Sequence, residues 1–174
     1  MRIITTPMCE DILRIANIPE YEVVKVNEIG NADLVITLSE TEVDIPKISV
    51  KLNTYTQLLD SIESVSARFN TECDESEISK IKSLMADNDK NKYKRENIKV
   101  KVYSNFLTDT IKDMGFLVTQ EDYDYVVVPD YMKDQLDECD NVIVVPSHRN
   151  VSFDIINRIK QRYQLLENKL CTKQ

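Results

Sequence analysis

The chain has 174 residues, of which 42% are hydrophobic and 30% are charged, and its formal net charge at pH 7 is −8. This composition is typical of a globular protein with a sizeable core, and the acidic balance argues against nonspecific nucleic-acid binding, which requires a basic surface. The sequence shows neither a membrane-spanning apolar run nor a signal-peptide pattern, so we expect a cytoplasmic protein that does not bind membranes.

Cysteine and glycine usage argue against several kinds of site. The four cysteines are Cys9, Cys73, Cys139 and Cys171. No two of them form a Cys-x-x-Cys pair, and His148 is the only histidine, so no metal site is predicted. The two glycines, Gly30 and Gly115, cannot form a Gly-x-Gly-x-x-Gly fingerprint or a P-loop. Any bound nucleotide would therefore depend on helix N-termini and on hydroxyl or amide side chains.

The chain opens with an apolar pair, Ile3 and Ile4, which predicts a short buried strand. Thr6 is a suitable N-cap and Pro7 a suitable first helical residue, so we predict a helix that starts at Pro7. In that frame Cys9 is the third helical residue. A thiol at the start of a helix that directly follows a strand is expected to lie near a ligand crevice of an α/β sheet.

The rest of the first half predicts three strands and a helix. The strands are expected at 21–26, 32–38 and 45–52, and the helix at 54–69. The segment 71–97 is polar and predicts a helical or linker connection. Its Lys/Arg cluster is interpreted as solvated surface rather than a nucleic-acid site, given the overall acidity.

The second half repeats this order of elements. Strands are predicted at 98–103, 116–118, 124–129 and 142–146, with helices from Ser104 to Gly115 and at 153–170. We therefore predict an α/β fold, a Rossmann-like three-layer sandwich with a largely parallel sheet. The prediction is one domain, 1–174, built from two degenerate β-α-β-β-β-α halves at about 1–70 and 98–170.

The carboxyl ends of the strands in such a fold converge on one crevice, where ligands bind. The candidate ligand-binding residues placed there are Thr6, Pro7, Met8, Ser39, Glu40, Thr41, Asn53, Ser104, Asp130, Ser147, His148 and Arg149. Hydroxyl, amide and guanidinium groups suit a ribose, a base edge or a phosphate. The alternative for each polar residue is a helix cap or a turn.

Cys9 is the candidate catalytic residue. The helix N-terminus favours its thiolate by about 0.3–1 kcal/mol, while Glu10 and Asp11 oppose it, so we expect a nearly ordinary thiol. Such a thiol suits an acceptor of an activated acyl group better than a protease. The alternative is a small apolar residue that packs the helix onto the sheet. A third reading is a hydrolase that pairs Cys9 with His148.

The stretch Thr5-Thr6-Pro7-x-Cys9-x-Asp11-Ile12-Leu13 resembles the HcgF family, which acts in biosynthesis of the iron–guanylylpyridinol (FeGP) cofactor of the methanogen hydrogenase Hmd. The resemblance covers about the first tenth of the chain. It implies a protein that binds guanylylpyridinol as its substrate and accepts the activated carboxyl as a thioester. The implied acceptor is Cys9, and the implied partner is the E1-like adenylylating enzyme HcgE.

Two further interpretations of the sequence remain open. The first is a non-covalent nucleotide-binding or scaffold protein in which Cys9 is packed in the core, and the second is the hydrolase. A homodimer is compatible with each of them.

Overall fold

The protein is described from a computed structural model that covers residues 1–135, 141–147 and 152–171. It divides into two compact units, Met1–Ser83 and Leu84–Gln174. The boundary lies inside the predicted connecting segment 71–97. In the described part of the chain the strands form two separate four-stranded parallel sheets, one in each unit, where the sequence suggested one sheet.

The first unit contains four strands and two helices. They are β1 (Ile3–Thr5), α1 (Glu10–Ile15), β2 (Glu22–Val23), β3 (Leu34–Leu38), β4 (Lys47–Val50) and α2 (Tyr55–Phe69). The strand order is β2-β1-β3-β4. Strands β1 and β3 are central and almost wholly buried, because a parallel strand packed on both faces is a continuous apolar run.

Helix α3 (Glu75–Asn91) crosses the boundary, and the second unit then repeats the order of the first. Its elements are β5 (Lys99–Val102), α4 (Asn105–Asp113), β6 (Leu117–Val118), β7 (Tyr125–Pro129), β8 (Val142–Val145) and α5 (Ile155–Leu170). The strand order β6-β5-β7-β8 corresponds position by position to that of the first sheet. The predicted α/β class, the parallel pairing and the two β-α-β-β-β-α halves are therefore confirmed.

Several predicted boundaries were wrong. Helix α1 starts at Glu10 rather than Pro7, because the Cys9 amide donates to the Thr6 carbonyl at 2.9 Å and closes a turn first. Cys9 is thus the residue before the helix rather than its third residue. The strand predicted at 21–26 is reduced to the exposed edge strand β2. The segment 71–97, predicted as a helical or linker connection, contains helix α3.

Helix α4 ends as predicted near Gly115. That glycine has φ +92°, a conformation that L side chains rarely adopt, and a Cβ there would lie 3.0 Å from the side chain of Lys92. Both the backbone conformation and the close approach therefore require glycine. Among the described residues, no helix is both long and apolar enough to cross a membrane.

Candidate functional site

The predicted site residues fall into two groups, one in each unit. The first unit holds Thr6, Pro7, Met8, Cys9, Ser39, Glu40, Thr41 and Asn53, and the second holds Ser104, Asp130 and Ser147. His148 and Arg149 lie outside the described residues. Each group follows strands of one parallel sheet, so its members lie toward the carboxyl edge of that sheet.

Cys9 is completely buried, with 0% of its surface exposed. Thr6 is also buried, with 2% exposed, while Pro7 is exposed and Met8 half-buried. The Cys9 backbone closes the junction between β1 and α1, since its amide donates to Thr6 and its carbonyl accepts from the Ile12 amide at 3.0 Å. The structure therefore places the sulfur inside the packed interior of the first unit.

The polar residues after β3 form hydrogen bonds that stabilise their own loop. The ammonium group of Lys47 donates to the carbonyl of Ser39 at 3.2 Å and to that of Thr41 at 2.7 Å. The hydroxyls of Thr37 and Thr41 are 3.3 Å apart, so Thr41 folds back over its own strand. Glu40 is exposed to solvent. These contacts match the turn interpretation of this cluster.

Asn53 leads into the cap of α2. The Thr54 side chain accepts from the amide of Gln57 at 3.1 Å, and the Gln57 side chain accepts from the amide of Asn53 at 3.2 Å. This reciprocal pair satisfies amide groups at the helix start. The backbone at Asn53 is thus part of a capping arrangement.

The second unit brings two predicted residues into direct contact. The Ser147 hydroxyl, which follows β8, donates to Asp130 Oδ1, which follows β7, at 2.5 Å. The amide of Tyr131 donates to the same oxygen at 3.0 Å. Ser104, after β5, caps α4 by accepting from the amide of Leu107 at 3.4 Å. The loops after β7 and β8 therefore meet at the carboxyl edge of the second sheet.

Two arginines on α5 belong to this region and were missed by the sequence analysis. Arg158 donates through Nε to the carbonyl of Ser152 at 2.9 Å, and the guanidinium of Arg162 lies 5.1 Å from the ring centre of Phe106. The sequence does contain a feature that could have indicated Arg162. Arg162 lies three residues after Ile159 on the apolar stripe of the helix, where a charged residue is unusual.

Two surface cavities of the first unit lie away from the predicted residues. One, of about 630 Å³, is lined by Arg14, Asn17, Ile18, Pro19, Glu20 and Tyr21. The other, of about 600 Å³, is lined by Glu63, Glu72, Cys73, Glu75, Ile78, Ser79 and Lys82. In the part of the chain that the structure covers, no group of three or more His, Cys, Asp or Glu side chains is arranged to hold a metal ion.

The second unit also matches a known family. Residues 97–172 match the model of the MJ0786 family C-terminal domain, and this match lies entirely within the second unit. No curated protein matches the sequence of this chain significantly.

Solved structures resemble the chain over almost its whole length. The metal-dependent lipoprotein YcdH from Bacillus subtilis has a TM-score of 0.61 at 13% identity, covering 98% of this chain and 99% of that one. The binding protein FpvC from P. aeruginosa, solved with Ni²⁺, has a TM-score of 0.61 at 10% identity, covering 100% and 98%. The periplasmic vitamin B12 binding protein BtuF of Vibrio cholerae has a TM-score of 0.58 at 14% identity, covering 99% and 98%. The chain therefore has an α/β fold similar to that of these three proteins.

Proposed function

We propose that this protein binds a small nucleotide-like ligand non-covalently at the carboxyl edge of its second parallel sheet. The observation that carries the proposal is the contact between Ser147 and Asp130, which joins the loops after two neighbouring strands. Open parallel sheets bind ligands at this edge. The Ser147 hydroxyl, the Asp130 carboxylate and the nearby Ser104 are groups that hydrogen-bond to ribose and base edges.

The burial of Cys9 favours non-covalent binding over a thioester. An acyl acceptor must present its sulfur to the carbonyl carbon at about 3–3.5 Å. With 0% of Cys9 exposed, this approach requires the junction between β1 and α1 to open. Thioester formation at Cys9 and action with HcgE stay predictions from the resemblance. Guanylylpyridinol remains a useful probe, because its GMP portion is nucleotide-like.

The fold likeness supports a binding role in general terms. Two of the similar structures are described by what they bind, Ni²⁺ for FpvC and vitamin B12 for BtuF. At identities of 10% and 14%, the likeness supports a similar fold for this chain but does not identify its ligand. The ligand class proposed for this chain therefore depends on its own residues.

Isothermal titration calorimetry with GMP, guanylylpyridinol and AMP tests the proposal. We expect saturable binding of at least one of these compounds, and about fivefold weaker binding by Ser147→Ala, because one hydrogen bond contributes on the order of 1 kcal/mol. Ser64→Ala, at an exposed position of α2, is the matched control and should bind like the wild type. Absence of binding to all three compounds, or equal loss in both variants, would contradict the proposal.

A further inference from the structure

Three exposed aromatic side chains follow successive strands of the second sheet. Tyr103 comes directly after β5, Tyr131 lies two residues after β7, and Phe153 precedes the N-cap of α5, the helix that follows β8. Their exposed fractions are 41%, 56% and 89%. Because the carboxyl ends of parallel strands meet at one edge of a sheet, these residues, which we call the edge aromatics, share an edge with the site proposed above.

The first unit shows that the fold itself does not require aromatic residues at these positions. The two units have the same order of elements and the same strand order. In the first unit the corresponding positions follow β1, follow β3 and precede the N-cap of α2, and all three are polar: Thr6, Glu40 and Asn53. The exposed aromatic side chains among the described residues all belong to the second unit. The edge aromatics are therefore a feature of the second unit and not of the repeated architecture.

Phe153 is the most exposed of the three, yet its backbone is held on both sides. The carbonyls of Ser152 and Phe153 accept from the guanidinium of Arg158, at 2.9 and 3.4 Å. On the other side Asp154 caps α5 by accepting from the amide of Asn157 at 2.8 Å. A fixed backbone presents the phenyl ring to solvent with only two side-chain torsions left to order, so a ligand binds against it at a small cost in entropy.

The backbones of the two tyrosines are tied to the site and to a neighbouring strand. The amide of Tyr131 donates to Asp130 Oδ1 at 3.0 Å, and the same oxygen accepts from the Ser147 hydroxyl. The amide of Tyr103 donates to the carbonyl of Val127 in β7 at 3.4 Å. Aromatic rings and polar groups that suit a ribose are thus presented at the same edge of the sheet.

We infer that the edge aromatics stack on a planar ring of the ligand, with Phe153 as the principal stacking residue. This inference deepens the proposed function and rests on it for the polar contacts to the rest of the ligand. Every nucleobase has a π face, so an exposed aromatic side chain binds a flat ring without a closed cavity. The ligand class is narrowed accordingly: the ligand contains a flat aromatic ring, and a sugar phosphate alone binds poorly.

Tryptophan fluorescence tests stacking at Phe153 directly, because the chain contains no tryptophan. Phe153→Trp keeps an aromatic ring and introduces a single reporter, whose emission guanosine should quench in a saturable way. Tyr93→Trp, at a 66% exposed position in the turn after α3, is the matched control and should show only the weak, linear quenching that collisions give. Absence of saturable quenching in Phe153→Trp, or the same quenching in both variants, would overturn the inference.

Calorimetry with guanosine measures the contribution of the phenyl ring. We expect Phe153→Ala to bind guanosine at least about fivefold more weakly than the wild type, because it loses the stacking contact. Phe153→Tyr keeps a ring and should bind like the wild type, as should the surface control Tyr93→Ala. An unchanged affinity in Phe153→Ala, or a loss in Phe153→Tyr equal to that in Phe153→Ala, would contradict stacking.

Ribose 5-phosphate separates this inference from the proposed function. We expect it to bind the wild type at least about tenfold more weakly than GMP, because it lacks the base. Binding as tight as that of GMP would overturn stacking and leave a sugar-phosphate site at the same edge. Saturable quenching of Phe153→Trp by guanosine that is unchanged on addition of Ser147→Ala would contradict the proposed site and leave the aromatic surface standing.

Discussion

At the scale of single residues, the sequence and the structure give Cys9 different roles, an acyl acceptor or a buried packing residue. The sequence places a thiol beside a helix start, which suits an acyl acceptor. The structure gives that thiol no exposed surface, and its backbone closes the turn between β1 and α1. A free cysteine is commonly a small buried residue, and here the packing is that of such a residue.

Alkylation measures the accessibility of Cys9 directly. We expect iodoacetamide to modify half-buried Cys73 in the native protein well before Cys9, because alkylation needs contact with the sulfur. Peptide mass spectrometry of samples taken over time gives both rates, and the urea-unfolded chain is the control in which both cysteines react. Modification of native Cys9 as fast as Cys73 would show that the junction opens readily.

Cys171 provides a pH-dependent prediction at the same scale. Burial raises the pKa of the Cys171 thiol, and the nearby Glu167 raises it further while Arg95 opposes this. A raised thiol pKa means less thiolate at any given pH. The folded state therefore gains stability from this group below the pKa of the unfolded chain, and loses that gain as the pH rises through the folded value.

The rate of alkylation against pH checks this direction. We expect the midpoint for Cys171 to lie at higher pH in the folded protein than in the urea-unfolded chain. A midpoint at or below that of the unfolded chain would contradict the assigned environment.

At the scale of elements, a buried polar network joins three helices of the second unit. Arg95 donates to Asn88 at 2.7 Å and forms an ion pair with Glu167 at 2.6 Å. Asn88 donates in turn to Asp113, which also accepts from Tyr163. These residues belong to or follow α3, α4 and α5, so the network fixes the packing of the helices within this unit.

Removal of Arg95 is expected to be strongly destabilising. Arg95→Met removes the ion-pair partner of Glu167 and the donor to Asn88 Oδ1, and loss of one member of a buried ion pair costs about 3–5 kcal/mol. We expect the lower end, about 3 kcal/mol, because Glu167 is partly exposed. Urea denaturation gives the free energy of unfolding. The control Lys90→Met removes an exposed pair with Asp87 and should cost less than about 1 kcal/mol. Equal costs would contradict the network.

At the scale of the whole molecule, the order of elements was predictable and the division into two sheets was not. Buried parallel strands such as β3 and β7 are continuous apolar runs, and caps such as Ser104 mark helix starts, so local sequence indicates both. Which strands pair depends on contacts distant in sequence. For the same reason the sequence predicts one crevice at the carboxyl ends of all strands, while in the structure the predicted residues lie in two units.

The candidate site was predictable in part. Ser104, Asp130 and Ser147 were found because polar residues directly follow apolar strands. The pattern of α5 did not indicate Arg158 and Arg162, because its apolar stripe predicts a packing face and the two arginines interrupt that stripe. Their role depends on partners such as Phe106, which lie on other elements.

Non-covalent binding is tested most directly by calorimetry of the wild type and of Cys9→Ala, with whichever of GMP, guanylylpyridinol and AMP binds the wild type most tightly. Alanine fits the buried position of Cys9 and removes only the thiol. We expect the same dissociation constant in both proteins, and no change in the intact mass of either after incubation with the ligand. Absence of binding of all three compounds to the wild type, or loss of binding in a folded Cys9→Ala, would contradict non-covalent binding that is independent of the thiol.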